Sequence, residues 1–372
     1  MTSFNHVLKQ EERAVFALRD LYRSYGYMQF KMSKFEEYDL YVRNKSFLVS
    51  DHVITFTDTN GKLMALKPDV TLSIVKNSKD MTDCVQKVFY DENVYRVSSA
   101  SSSYREILQA GLECIGRVDR YCIAEVLSLA LKSLSLICED YVLDISHLGI
   151  LSAVLDRIPV SESGKRSLLT CVGEKNLHGV EEICRSEGVD PASVTLLREL
   201  MNGYGSAERV LDSLSTLFAN DEQVLPMLDE LREVLASIPS ERVHIDFSVV
   251  NDLGYYNGIV FQGFVNGISQ SILSGGQYDN LMKKMGRRDC AIGFALYLDL
   301  LDELVSGSVP YDVDAVLLYD KSAPIADVRA AVERLAGEGK SVAAQQQMPE
   351  KLHCKEIYQL TKEGVVCIET HA

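Results

Sequence analysis

A chain of 372 residues with 47% hydrophobic and 24% charged side chains is long enough for two or three domains with buried cores. Its formal net charge of −15 argues against tRNA, because polyanions are gathered by lysine and arginine surfaces that release their counterions. No apolar run approaches the ~20 residues that cross a bilayer, and residues 1–10 lack a signal-peptide core, so a cytoplasmic protein without membrane contact is expected.

In chain order, Val15, Leu18, Leu21 and Tyr22 recur at helical spacing and predict a helix over 11–25, closed by Gly26. Residues 53–65 read as a hairpin around Thr59-Asn60-Gly61. Strands follow over 87–97 and 108–115, joined by the serine-rich link 98–103, and then a buried helix over 121–138. From about 146 to 240 the pattern is helical, punctuated by Pro159, Gly173, Gly188 and Gly205, and reads as a helical insertion. Val243, Ile245, Phe247 and Val249 alternate with polar neighbours and predict a strand over 243–250. One or two strands are expected over 258–273 and a helix over 291–304. Pro310 marks a boundary, beyond which a strand (314–318), a helix (323–336) and a strand (341–345) predict a small βαβ-type unit.

Few catalytic motifs survive inspection. Ser163-Gly164-Lys165-Arg166-Ser167 echoes a phosphate loop, but Pro159 stands where its other glycine belongs. HExxH, GxSxG and GxGxxG are absent, as is a phosphoribosyltransferase diphosphate loop. Nine scattered cysteines without CxxC, and seven histidines without zinc spacing, predict free thiols, no metal site and no cofactor.

Two sets of polar residues stand out by their surroundings. Asp69 and Thr71 share a face if Lys67-Pro68-Asp69-Val70-Thr71 is extended, and Gln109 and Glu113 interrupt the apolar stretch 107–115. Each has a plainer reading: Asp69 and Thr71 as caps of a helix over 72–77, and Glu113 facing solvent.

Taken together and in order, several segments resemble the class II histidyl-tRNA synthetase core. ALKPDVT at 65–71 is similar to its LRPE-x-T segment, and VYR at 94–96 with YREILQAGLECIG at 104–116 to motif 2. LGYYNGIVFQ at 253–262 is similar to the histidine-specific LDYYTG-x-VFE, and SGGQYDNL at 274–281 with AIGFALYLDLL at 291–301 to motif 3. The resemblance implies an α+β fold over residues 1–310: a class II aminoacyl-tRNA synthetase-like antiparallel sheet flanked by helices, with the helical insertion. Residues 311–372 resemble a truncated anticodon-binding α/β domain.

The departures from the pattern fall on the arginines that neutralise charge developing at ATP's α-phosphate. Arg96 matches the motif 2 arginine, but the acid two residues later is Ser98 and the charged loop is Ser101-Ser102-Ser103. Asn251-Asp252-Leu253-Gly254 replaces Arg-Gly-Leu-Asp, Gln277 replaces the GGRYD arginine, and Leu300 the last ATP-binding arginine. Carried over, Asp69, Thr71 and Gln109 would hold an α-amino group, while Glu113 and one of Tyr255 and Tyr256 would grip an imidazole. The other tyrosine is expected to pack in the core, since adjacent strand residues point to opposite faces. Arg96 and Arg105 are candidate contacts for a carboxylate or phosphate.

A synthetase-like core without catalytic residues but with a histidine pocket resembles the regulatory subunits of ATP phosphoribosyltransferase. That resemblance implies a non-enzymatic subunit in histidine biosynthesis that activates a short catalytic subunit and mediates feedback inhibition by free histidine. It also implies a homodimer within a larger hetero-oligomer. A divergent histidyl-tRNA synthetase, or a histidine-sensing module with another partner, are the alternatives.

Overall fold

The computed structural model describes residues 8–45, 48, 53–79, 84–97, 103–250, 255–304 and 311–371. The chain divides into two compact units, Met1–Leu304 and Val305–Ala372. None of the helices among the described residues is long and apolar enough to cross a membrane.

The first unit opens with α1 (Gln10–Ser24), β1 (Met28–Gln29), β2 (Phe35–Glu37), α2 (Tyr38–Arg43), β3 (Thr55–Thr57), β4 (Leu63–Leu66) and α3 (Thr71–Asn77). Helix α1 buries Ala14, Leu18 and Tyr22 on one stripe. It stops because Gly26, at φ +81°, adopts the left-handed conformation that other residues resist. Strands β2, β4 and β3 form a small antiparallel sheet. The Asp58 carboxylate closes the β3–β4 turn by accepting the Asn60 and Lys62 N–H groups, both at 2.8 Å.

The long strands β5 (Val85–Val97) and β6 (Tyr104–Gly116) precede α4 (Arg120–Ile137) and β7 (Tyr141–His147). The insertion follows as α5 (Leu148–Leu155), α6 (Glu162–Gly173), α7 (Leu177–Ser186), α8 (Pro191–Asn202), β8 (Tyr204–Ser206), α9 (Ala207–Leu217) and α10 (Leu225–Ala236). Ser161, Asn176 and Asp190 cap α6, α7 and α8 by accepting first-turn N–H groups. The unit closes with β9 (Val243–Asp246), β10 (Ile259–Val265), β11 (Leu273–Gln277), α11 (Asp279–Lys284), β12 (Cys290–Tyr297) and a 3₁₀ turn over Leu298–Leu304.

Among the described residues nine strands make one sheet in the order β1-β5-β6-β12-β11-β10-β7-β9-β8. Neighbours run antiparallel, except β1 beside β5 and β7 beside β9, which are parallel. One face packs on α1 and α4: Ala110, Leu112 and Cys114 of β6 and Ile292, Phe294 and Leu296 of β12 join Leu18, Val126 and Leu134 in the main core. Because side chains alternate along a strand, Gln109, Gly111 and Glu113, with Gly293, Ala295 and Tyr297 opposite them, face the other way.

The second unit contains β13 (Val313–Leu318), α12 (Ile325–Gly337), β14 (Val342–Gln345), β15 (Cys354–Thr361) and β16 (Gly364–Thr370). Its sheet runs β14-β13-β15-β16, with β13 parallel to β14 and β15. Ala331 and Leu335 of α12 pack on Ala315, Leu317 and Tyr358.

Several expectations need correction. Residues 291–304 are not a helix: Cys290–Tyr297 is a strand between β6 and β11, and only the 3₁₀ turn follows. A short run buried on both faces carries no period that separates strand from helix. Ser146 and His147 end β7 rather than beginning the helical insertion, and Tyr204–Ser206 adds a strand within it. The strand predicted over 243–250 stops at Asp246, whose carboxylate turns the chain by accepting the Ser248 N–H and hydroxyl. Thr71 begins α3 instead of lying in an extended segment.

Candidate functional site

The face of the sheet opposite α1 and α4 carries a cavity of about 440 Å³ between β5, β6, β11, β12, the start of α3 and the Tyr255-Tyr256 segment. Asp69, Thr71, Arg96, Gln109, Glu113, Tyr255 and Tyr256 all line it. Glu113 is 2% exposed, so it does not face solvent. The Thr71 hydroxyl donates to its Oε1 at 2.7 Å and the Tyr278 hydroxyl to its Oε2 at 2.7 Å. Burial pushes the Glu113 carboxyl up to about 8; the Thr71 and Tyr278 hydroxyls oppose this, and the Asp69 charge adds to it.

Asp69 combines both of its readings. Its Oδ1 accepts the Leu72 N–H at 2.8 Å at the start of α3, and the side chain also lines the cavity. Burial raises its pKa, while the Leu72 N–H and the Arg96 charge pull the other way. Thr71, whose hydroxyl is turned to Glu113, is the first residue of α3 rather than its cap. Gln109 is 2% exposed, and its Nε2 is buried without a hydrogen-bond partner among the described residues, a costly state for a donor.

Tyr255 and Tyr256 do not divide between pocket and core as expected. They lie outside any strand, so strict alternation does not hold, and both line the cavity with ring centroids 4.4 Å apart. Tyr255 also sits 5.8 Å from the Tyr278 ring. Burial raises the hydroxyl pKa values of Tyr90, Tyr255, Tyr256 and Tyr278 well above the ordinary value, so these rings stay neutral donors and acceptors.

Arg96 lines the cavity while its Nε donates to the Pro68 carbonyl at 3.0 Å. Arg105 is its cross-strand neighbour but is exposed and outside the lining. It lies four residues before Gln109 on β6, roughly 14 Å along an extended strand. Gln277 is also absent from the lining: its Oε1 accepts the Ile259 N–H at 2.7 Å across β10 and β11. Leu300 packs against the main apolar core. Ser98, Ser101, Ser102 and the Asn251–Gly254 segment lie outside the described residues.

Tyr90, Ser274, Tyr278, Gly293 and Tyr297 also line the cavity and were not among the predicted site residues. Tyr278 sits inside SGGQYDNL, two residues after Gly275-Gly276. Gly293 is required by close approach, because it faces Glu113 across β6 and β12. A Cβ there would lie 1.8 Å from Glu113 Oε2 and 2.4 Å from the Leu112 carbonyl oxygen. Gly293→Ala is therefore expected to destabilise the chain by ~1–3 kcal/mol through overpacking and to displace Glu113. Thermal unfolding checks this, and a melting curve identical to that of the parent would contradict it.

Chemically, the cavity offers two carboxyl groups, one guanidinium, an unpaired amide and a ring of tyrosine hydroxyls. Such a set suits a small ligand carrying an ammonium group and a hydrogen-bonding ring.

A family model described as histidyl-tRNA synthetase matches residues 5–301. The ATP phosphoribosyltransferase regulatory subunit of Clostridium kluyveri is 31% identical over 294 residues, covering 76% of this chain and 74% of that protein. The histidine–tRNA ligase of Methanocaldococcus jannaschii is 28% identical over 287 residues, covering 76% and 68%. A structure described as an ATP phosphoribosyltransferase regulatory subunit/histidyl-tRNA synthetase from Bacillus halodurans C superposes with TM-score 0.71 at 23% identity, covering 90% and 88% of the two chains. One from the ATP phosphoribosyl transferase (HisG:HisZ) complex of Thermotoga maritima gives 0.61 at 20%, covering 80% and 97%. The chain belongs to the histidyl-tRNA synthetase family, within its branch of ATP phosphoribosyltransferase regulatory subunits.

Proposed function

We propose that the chain is a non-catalytic regulatory subunit of ATP phosphoribosyltransferase in histidine biosynthesis, which binds free histidine in the cavity and transmits it as feedback inhibition to a short catalytic subunit. One contrast carries the reading. The residues suited to an amino acid converge in the cavity, whereas two positions where the family places phosphate-binding arginines hold Gln277, tied to the Ile259 N–H, and Leu300, in the apolar core.

Aminoacyl adenylation needs fixed cations where charge develops at the α-phosphate, and removing one such donor typically costs ~10²–10³ in rate. Amino-acid recognition makes no such demand. Asp69, Thr71 and Gln109 would take the ammonium group, and Glu113 with the tyrosine pair the imidazole. Histidine would then act on the catalytic subunit only through its different affinity for two states of the complex.

The exposed aromatic pair Phe35 and Phe56, with ring centroids 5.6 Å apart, supports an assembly surface on the small sheet, in keeping with a homodimer inside a larger hetero-oligomer. Mixing the chain with a short catalytic subunit is expected to give a single larger species on size-exclusion chromatography. Independent elution of the two at micromolar concentration would overturn the assembly.

The relationship to a histidine–tRNA ligase favours a divergent synthetase as the second reading. A histidine-dependent ATP–pyrophosphate exchange assay separates the two.

A further inference from the structure

The two carboxyl groups of the cavity are not equivalent. Asp69 has the Leu72 N–H and the Arg96 charge to favour its ionised form. Among the described residues no cation acts on Glu113. Thr71 at the start of α3, Tyr278 before α11, Tyr90 on β5 and the Tyr255-Tyr256 pair present hydroxyls and rings, and among the described residues the charged group acting on it is Asp69. Two buried acids with one guanidinium between them, acting on Asp69, cannot both ionise cheaply. Glu113 therefore keeps a proton near neutral pH before a ligand binds, in line with the upward push of burial on that group.

Each Glu113 oxygen already accepts one hydroxyl and keeps a second lone-pair direction for a ligand. We propose that Glu113 and the ring of the bound ligand share a single proton, so that the cavity selects a weakly basic ring and binds it most tightly near neutral pH. The inference rests on the reading of the cavity as a histidine site.

The proton balance follows directly. Near neutrality an acid Glu113 meets an uncharged imidazole, and the one proton present lies between them, with none exchanged with solvent. In acid both partners arrive protonated and one proton leaves. In alkali both arrive without it and one is taken up, over and above the fraction that the histidine α-amino group takes up in every case to bind as ammonium. An ordinarily ionised Glu113 behaves differently: paired with imidazolium it takes up a proton at neutral pH, and accepting from a neutral ring it adds none in alkali.

Calorimetric titration of the chain with histidine, in buffers of contrasting ionisation enthalpy at about pH 5.5, 7.2 and 8.8, distinguishes these cases. Expected are release of close to one proton, near zero, and uptake of close to one beyond the α-amino fraction, with affinity falling about tenfold per pH unit above the Glu113 titration. In Glu113→Gln, whose amide can donate to the ring but not transfer a proton, the alkaline uptake is expected to fall by most of a proton. Uptake at neutral pH, alkaline uptake no greater than the α-amino fraction, or equal alkaline uptake in parent and variant overturns the shared proton while leaving the histidine site standing. No response to histidine at any pH removes the site itself, and the shared proton with it.

Discussion

Replacing Glu113 by alanine is expected to raise the histidine concentration for half-inhibition of the assembled enzyme about 100-fold, while the chain still folds. The carboxyl sits at the floor of the cavity, and both its oxygens are fixed by hydroxyls, from Thr71 and Tyr278, at 2.7 Å. Its orientation is therefore set before any ligand arrives. A hydrogen bond to a charged group contributes about 1.5–3 kcal/mol, and each 1.4 kcal/mol is tenfold in affinity, so its loss accounts for that weakening. The fold should tolerate the change because the variant removes a buried acid that is costly to ionise. Inhibition curves on the complex, with a melting curve of the isolated chain, check both halves. Unchanged half-inhibition would take Glu113 out of the site.

The second large effect is an absence of chemistry. Histidine-dependent ATP–pyrophosphate exchange by this chain is expected to fall at least ~10⁴-fold below that of an active synthetase, from the cationic groups missing at Gln277 and Leu300 alone, at ~10² or more each. Gln277 cannot simply be swung into the cavity, since its Oε1 holds the Ile259 N–H and occupies the space beside Gly258, where a Cβ would lie 2.2 Å from it. Leu300 has no charge to offer. Arg96 remains and is partly engaged by the Pro68 carbonyl. Exchange well above background would restore the synthetase reading.

Four polar residues of the pocket stood out from their surroundings alone, whereas their union into one site came from the resemblance. Gln109 and Glu113 are polar interruptions of an apolar strand two pleats apart, and the period of two puts them on one face, where the structure has them. Asp69 and Thr71 were legible as a pair, although Thr71 serves Glu113 through its side chain and not by strand geometry. The rest was hidden because it depends on strand register between distant segments. Tyr278 reaches Glu113 across a sequence separation of 165 residues, and Gly293 matters only because β12 sets it opposite Glu113.

The errors in the fold have a common cause. The run 291–297 is apolar on both faces and sits in mid-sheet, so neither of the two periodicities appears in it. The brief strand Tyr204–Ser206 and the late strands β15 and β16 are set by pairing with β9, β13 and each other, which local propensity does not encode.

A regulatory subunit controls a phosphoribosyl transfer that it does not itself perform. The direct measurement is the ATP phosphoribosyltransferase rate of a short catalytic subunit, alone, with this chain, and with this chain plus histidine. The expected result is a rate raised by the chain, suppressed again by histidine, and rendered insensitive to histidine by Glu113→Ala. A rate indifferent to the chain, together with robust pyrophosphate exchange by the chain alone, would contradict it.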